Sequence, residues 1–214
     1  MNIDLNKHIY PIFRKMFRSQ RMEKFIKAFN LDTNSKILDV GGYPDNWLLS
    51  PILPDVMLLN LKKPKSNDKR FKYIVADGTS LPFKNGCIEI VYSNSVIEHL
   101  GNLENQRIFA NEVKRVSKNY YIQTPNKYFP VEPHFLTFIL HWFPKKIQTK
   151  LLKYFSLRGF VSYSDGKTID LLISELNLLT KKELEGLFEG CNIWFERVLG
   201  FSKSLIAVSR TNKS

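Results

Sequence analysis

Apolar residues recur at close to helical spacing from Leu5 to Phe29: Leu5, Ile9, Ile12, Phe13, Met16, Phe17, Phe25, Ile26 and Phe29. The pattern predicts one or two amphipathic helices, with Arg14, Lys15, Arg18, Arg21, Lys24 and Lys27 as cationic surface. Beyond Phe29 the pattern changes to short apolar runs separated by polar stretches. Ile37–Val40, Val56–Leu61, Ile74–Ala76, Ile88–Ser93 and Tyr120–Gln123 have the length and composition of buried strands. Pro51 and Pro54 leave room for only a short helix after the first strand. Lys62–Lys72 is near the minimum for a crossover between parallel strands, so a loop or single turn is expected there. Asn105–Val116 reads as a helix with Ile108, Phe109, Val113 and Val116 inward.

After the fifth predicted strand, Thr124–Ser164 is too long for a simple connection and is rich in aromatics and lysines, which points to a functional insertion. Phe135–Phe143 is strongly apolar, Pro144 breaks it, and Lys145–Phe155 reads as a basic amphipathic helix. Leu171–Leu176 belongs to a further helix. Thr180 and Glu183 form a capping box for the next, ending near Gly190. Ile193–Val198 and Ser204–Val208 are closing strands, and the short link between them permits an antiparallel hairpin. There is no repeat and no low-complexity linker.

A hydrophobic content of 43% fits a globular chain and argues against disorder. No apolar N-terminal stretch reads as a signal peptide, and no run is long enough to span a membrane. Cys87 and Cys191 form no metal pattern and are expected to be core thiols in a reduced cytoplasm. The three tryptophans, Trp47, Trp142 and Trp194, are most simply core residues, with Trp47 near enough to Gly41 and Gly42 to reach a ligand there. The net charge of +12 does not bear on the fold. It calls for an anionic partner: nucleic acid, an acidic membrane surface or a phosphorylated substrate.

The candidate chemistry centres on K-I-L-D-V-G-G-Y-P-D-N-W, Lys36 to Trp47. Strand, paired glycines and helix start are the arrangement by which an open α/β sheet holds a nucleotide-like ligand. The glycines admit the ligand close to the backbone, and free N–H groups of the following helix turn towards it. A surface loop would use the same glycines, so the later motifs decide. Asn60 ends the second strand about 20 positions beyond Asp39, where a ribose-hydroxyl partner sits in this architecture. Tyr73–Phe83, Y-I-V-A-D-G-T-S-L-P-F, and Ile88–Leu100, I-E-I-V-Y-S-N-S-V-I-E-H-L, follow in order.

Together these motifs resemble the cofactor-binding core of class I S-adenosylmethionine-dependent methyltransferases of the bacterial small-molecule, type 11 kind. The resemblance runs from Lys36 to about Gln123, and the tail segments L-L-T-K-K-E-L-E-G-L-F and R-V-L-G-F-S-K-S-L-I-A-V resemble members of the same group. It implies an α/β fold: a Rossmann-like, doubly wound, mostly parallel sheet of about seven strands. The last strand is antiparallel, helices cover both faces, and a helical insertion follows the fifth strand. The whole chain is then one methyltransferase domain. Residues 1–30 form an N-terminal helical segment, 36–123 the cofactor core, 124–164 a substrate or lid insertion, and 165–214 the C-terminal helices and hairpin.

The implied cofactor is S-adenosyl-L-methionine, with Asp39, Gly41, Gly42, Asn60, Asp77, Gly78, Asn94 and Ser95 binding it; no metal is implied. Asp77 would take the adenine amino group, and Gly78 would offer its N–H to the ring. Tyr43 and Asp45 stand where the family usually has glycine, and Asn60 where it usually has an acid. His99, beside Glu98, is the candidate general base, with packing at a helix end as its alternative role. Asn126, Glu132, His134 and His141 lie in the insertion. The first three are candidates for the acceptor site, while His141 on its apolar stretch suits a structural role. The implied acceptor is a small or lipid-linked molecule, with possible peripheral contact at an anionic inner-membrane face. The alternatives are a cofactor-binding relic without turnover, and an RNA methyltransferase. Against the latter, S-N-S-V follows the fourth strand where base-amine methylases carry an N-P-P-Y-like tetrad.

Overall fold

The structure is a computed structural model, and it describes residues 5–48, 50–63, 68–132, 137–148, 150 and 173–209. A single helix, α1, runs over Leu5–Phe29. Strand β1 (Lys36–Val40), the one-turn helix α2 (Pro44–Trp47), β2 (Asp55–Asn60) and β3 (Lys72–Val75) follow. Then come β4 (Ile90–Asn94), a 3-10 turn at Ile97–His99, helix α3 (Leu103–Val116) and β5 (Asn119–Pro125). Helix α4 (Lys181–Leu187) precedes the closing strands; β6, β7, β8 and β9 are Val131–Glu132, Thr137–Phe138, Asn192–Val198 and Phe201–Val208.

The main sheet has seven strands in the order β3-β2-β1-β4-β5-β9-β8. The first five pair in parallel, and β9 runs antiparallel to both β5 and β8. Strand order reverses at β1, so the carboxyl ends of β1 and β4 open a crevice, the place where such sheets bind ligands. The central strands are apolar nearly throughout because both sheet faces are covered. On one face Leu38, Val40, Val91 and Ile122 pack against Phe109, Val113 and Val116 of α3 and Leu184 of α4. On the other, Met22 and Phe25 of α1 meet Ile37, Trp47, Leu58, Tyr92 and Tyr121. Phe25 is the hub of this aromatic layer, with ring centroids 4.8 Å from Tyr92 and 5.1 Å from Tyr121.

Local signals fix the ends of the helices. Asn102 caps α3, its side chain accepting from Asn105 N, so that helix starts at Leu103, ahead of the expected Asn105. The Thr180–Glu183 capping box is present as expected. Ile108 was assigned inward but is 39% exposed, because α3 buries Phe109, Ala110 and Val113 and rolls Ile108 to the rim. Trp142 is 51% exposed and Cys87 is also exposed, so neither joins the core. Cys191 is half-buried. The insertion after β5 opens with the two-stranded hairpin β6–β7 and a 3-10 turn at Leu140–Trp142, neither of which the apolar run Phe135–Phe143 announced. Of the expected Lys145–Phe155 helix, residues 145–148 and 150 are helical, and 151–172 lie outside the described residues. Among the described residues of Lys62–Lys72 there is no helix, in keeping with the short crossover.

Candidate functional site

Parallel register brings Val40 beside Leu59 and Asn60 beside Val75, so β1, β2 and β3 end close together. A cavity of about 360 Å³ lies at these ends. Four sequence-predicted residues line it: Gly41, Asn60, Asp77 and Gly78. Val40, Leu59, Ala76, Val96 and Leu100 supply an apolar lining, with Tyr43, Leu61 and Lys62 completing it. A mostly apolar slot with a few polar groups suits a flat heterocycle carrying a hydroxylated sugar.

The turn after β1 is built for close approach. Gly41 has φ +76, donates its N–H to Leu59 O at 2.7 Å, and would place a Cβ only 2.3 Å from Val96 Cγ2. At Gly42 a Cβ would stand 1.9 Å from Asp39 Oδ2. Tyr43, the departure from the glycine pattern, has φ −129 and a side chain 55% exposed, so its backbone has no need of glycine. The helix that follows is four residues long with Pro44 at its start, and Pro carries no N–H. The expected row of free helix N–H groups is therefore missing at this turn.

Asp39 sits behind the turn, fully buried, and does not line the cavity. Its Oδ2 accepts from Trp47 Nε1 at 2.8 Å, while Oδ1 is buried without a hydrogen-bond partner. Burial raises its pKa from 3.8 to about 7, with the Trp47 bond opposing the shift. Trp47 likewise stays in the core and reaches the turn only through this bond. Asn60 donates through Nδ2 to Gly42 O at 2.8 Å, tying the end of β2 to the turn. Asp77 is held by an Asx turn, its Oδ1 accepting from Thr79 N and Thr79 Oγ1, both at 2.8 Å. Oδ2 takes no part in that turn. Gly78 packs so tightly that a Cβ would lie 3.1 Å from Val40 Cγ1 and 3.2 Å from the Phe109 ring.

Asn94 and Ser95 are not in the cavity lining. Asn94 Oδ1 accepts from Arg21 Nη1 of α1. Arg21 also grips Glu196 of β8 in a two-pronged ion pair, Nε and Nη2 each 2.6 Å from a carboxylate oxygen. Arg21, which its spacing groups with the cationic surface, is 6% exposed and spans from the sheet centre to its edge. Nothing in the helical spacing separates it from its solvated neighbours; only its long-range partners do. Ser95 adopts φ +56, with its N–H on Gln123 O and its hydroxyl on Gln123 Oε1, both at 3.0 Å.

The Ile97–His99 turn lies between two cavity residues, Val96 and Leu100. Glu98 is fully buried and accepts from Thr124 Oγ1 at 3.0 Å, while His99 is exposed. Asn126 is engaged in the fold: Nδ2 donates to Ser202 O at 2.8 Å and Oδ1 accepts from Tyr128 N at 3.1 Å. Glu132 falls in β6, and His134 lies outside the described residues. His141 is half-buried with Nε2 3.0 Å from Lys127 O. Sequence reasoning missed Lys62, Val96 and Leu100 as cavity residues. Lys62 was hidden in a lysine-rich stretch, and the other two are ordinary apolar residues whose role depends on tertiary packing.

Residues 53–120 match the family model of the methyltransferase domain, a segment that begins beyond the glycine turn and includes Asn60, Asp77, Gly78, Asn94, Ser95 and His99. No curated protein matches in sequence. Among solved structures, the chain is similar to a putative O-methyltransferase from Nostoc punctiforme, at 12% identity and a TM-score of 0.54. That alignment covers 95% of this chain and 58% of that one, so the chain spans little more than half of that relative's length. It is also similar to magnesium protoporphyrin IX methyltransferase from Synechocystis, at 10% identity and a TM-score of 0.58, over 92% of this chain and 84% of that one. A structure described as a putative Zn-dependent alcohol dehydrogenase from Rhodobacter sphaeroides matches at 8% identity, a TM-score of 0.60 and 88% coverage of each chain. At such identities a structural likeness carries the fold alone. Residues 53–120 are thus similar to a methyltransferase domain, and they lie in a mostly parallel, Rossmann-like sheet.

Proposed function

We propose that the chain transfers a methyl group from S-adenosylmethionine to a small or lipid-linked acceptor. The observation that carries this reading is the cavity of about 360 Å³ at the carboxyl ends of β1–β3, lined by Gly41, Asn60, Asp77 and Gly78. The residues present fit the cofactor: Gly41, packed against Val96 at positive φ, lines the cavity with backbone, and the apolar lining suits adenine. Asp77 accepts the adenine amino group, Gly78 meets the ring edge, and Asn60 faces the ribose hydroxyls. Asn94 and Ser95 bound the methionine end from the tip of β4, with Asp39 supporting the turn from behind.

When bound, the cofactor supplies a methyl group already activated on a sulfonium, ready for one in-line displacement. The protein's contribution is alignment, worth about 7–11 kcal/mol in favourable cases. His99 lies next to cavity residue Leu100 and takes the proton that the acceptor's nucleophile gives up. Asn126, Glu132 and His134 belong to the acceptor side. The +12 charge and the lysines Lys145, Lys146 and Lys150 beside the apolar stretch of the insertion favour an acceptor held at an anionic surface.

The test is methyl transfer from labelled S-adenosylmethionine into fractionated cell extract. The wild type labels an acceptor, and His99→Ala lowers the rate roughly 10²–10⁴-fold while leaving cofactor binding nearly intact. Equal losses of rate and binding would return His99 to a packing role, and no labelled product in any fraction would contradict the transfer itself.

A further inference from the structure

Asn60 stands where the family usually has an acid, and the structure shows a use for the amide that an acid does not have. Gly42 O can only accept a hydrogen bond, and Asn60 Nδ2 donates to it at 2.8 Å. An ionised carboxylate at this position would set one acceptor against another across the turn. Gly42 cannot retreat, because its Cα already lies against the buried Asp39 carboxyl. Gly41 is held on the other side by its bond to Leu59 O and by contact with Val96. The turn is thus braced from β2 by one neutral side chain and by the Gly41–Leu59 backbone bond, with Pro44 opening the helix beyond it.

We infer that Asn60 is a positioning residue: its amide fixes the Gly42 carbonyl and so sets the glycine turn for the cofactor. Restoring the family's acid in this chain would therefore weaken cofactor binding. The inference rests on the functional reading above, and its test separates the two. The groups facing position 60 are Lys62, Asp77 and Tyr43 around the cavity and Asp39 behind Gly42. Burial pushes the Asp39 carboxyl up to about 7, so each comparison is variant against wild type at the same pH.

The experiment has two readouts. Titration calorimetry with S-adenosylhomocysteine gives affinity between pH 5 and 8 for wild type, Asn60→Asp and Asn60→Ala. Gly42–Tyr43 is the chain's single Gly-Tyr pair, so labelling glycine carbonyl carbon and tyrosine nitrogen isolates the Gly42 carbonyl resonance in each variant. Asn60→Asp should bind about tenfold or more weakly than wild type at pH 8, the scale of a buried acceptor left without a donor. The deficit should shrink as the pH falls and the new carboxyl gains a proton to donate, with the Gly42 resonance moving in step. Asn60→Ala should lose the wild-type carbonyl shift and show a deficit that does not recover at low pH. Asn60→Asp binding as tightly as wild type at pH 8, or an unmoved Gly42 resonance in Asn60→Ala, would overturn the inference. Wild type failing to bind S-adenosylhomocysteine, with the Gly42 resonance still responding to Asn60→Ala, would instead overturn the functional reading.

Discussion

Asp39 shows how a single side chain can be legible in kind and not in role. Its place at the end of an apolar run before paired glycines was readable, but its burial behind Gly42 was not, because that depends on Trp47 folding back over it. One consequence is a pH dependence with an unusual sign. The folded carboxyl holds its proton up to about pH 7, whereas the unfolded one releases it near 3.8. Between those values the unfolded chain binds fewer protons than the native one, so stability falls as pH rises through this window. The loss is of the order of a few kcal/mol. Asp39→Asn keeps an acceptor for Trp47 and removes the titration. Thermal midpoints measured from pH 4.5 to 7.5 should fall further for wild type than for Asp39→Asn. Parallel curves would mean that Asp39 ionises as readily folded as unfolded. Asn60 and Asp77 were also readable by position, yet their present partners, Gly42 O and Thr79, were not.

Among the elements, the span Leu5–Phe29 was readable as one or two helices and is the single helix α1, but its grip on the sheet was not readable. Periodicity assigns a face to Phe25 because burial follows spacing, while Met22, buried beside it, lies outside that pattern. It cannot distinguish Arg21 from Arg18 or Lys24, since a buried cation depends on a partner far along the chain. That partner is Glu196, and burial of the pair makes it costly to break. Removing either member strands the other charge away from water, typically at about 3–5 kcal/mol. Arg21→Met should therefore destabilise the protein by about that amount in urea unfolding, and Arg21→Met with Glu196→Leu should recover much of the loss. A single variant costing no more than the double would show that the pair is not buried in solution. Strands were readable for a related reason: a sheet covered on both faces demands continuous apolar runs, as in β1 and β4. The hairpin β6–β7 escaped because two-residue strands leave no period to read.

At the scale of the whole molecule, a mostly parallel sheet of about seven strands with an antiparallel last strand was accessible from sequence, because motif order along the chain points to this architecture. The acceptor side was not, because its candidates lie in an insertion where aromatics and lysines alternate without a period. Asn126, an acceptor-side candidate, also holds β5's exit against Ser202 through its amide. No helix among the described residues is long and apolar enough to cross a membrane. Each basic residue near an anionic leaflet contributes about 1 kcal/mol, attenuated beyond a Debye length. The proposed surface binding predicts co-sedimentation with anionic vesicles at low salt, lost at high salt and weakened by Lys145→Glu with Lys146→Glu; indifference to vesicle charge would remove it. Whether the cavity at the ends of β1–β3 holds the cofactor is decided by titrating S-adenosylhomocysteine into wild type and Asp77→Ala. Saturable one-to-one binding to the wild type is expected, weakened about tenfold or more in Asp77→Ala with the fold retained. Equal affinity for the two proteins would place the ligand elsewhere, and no binding to the wild type would rule out a cofactor site in this cavity.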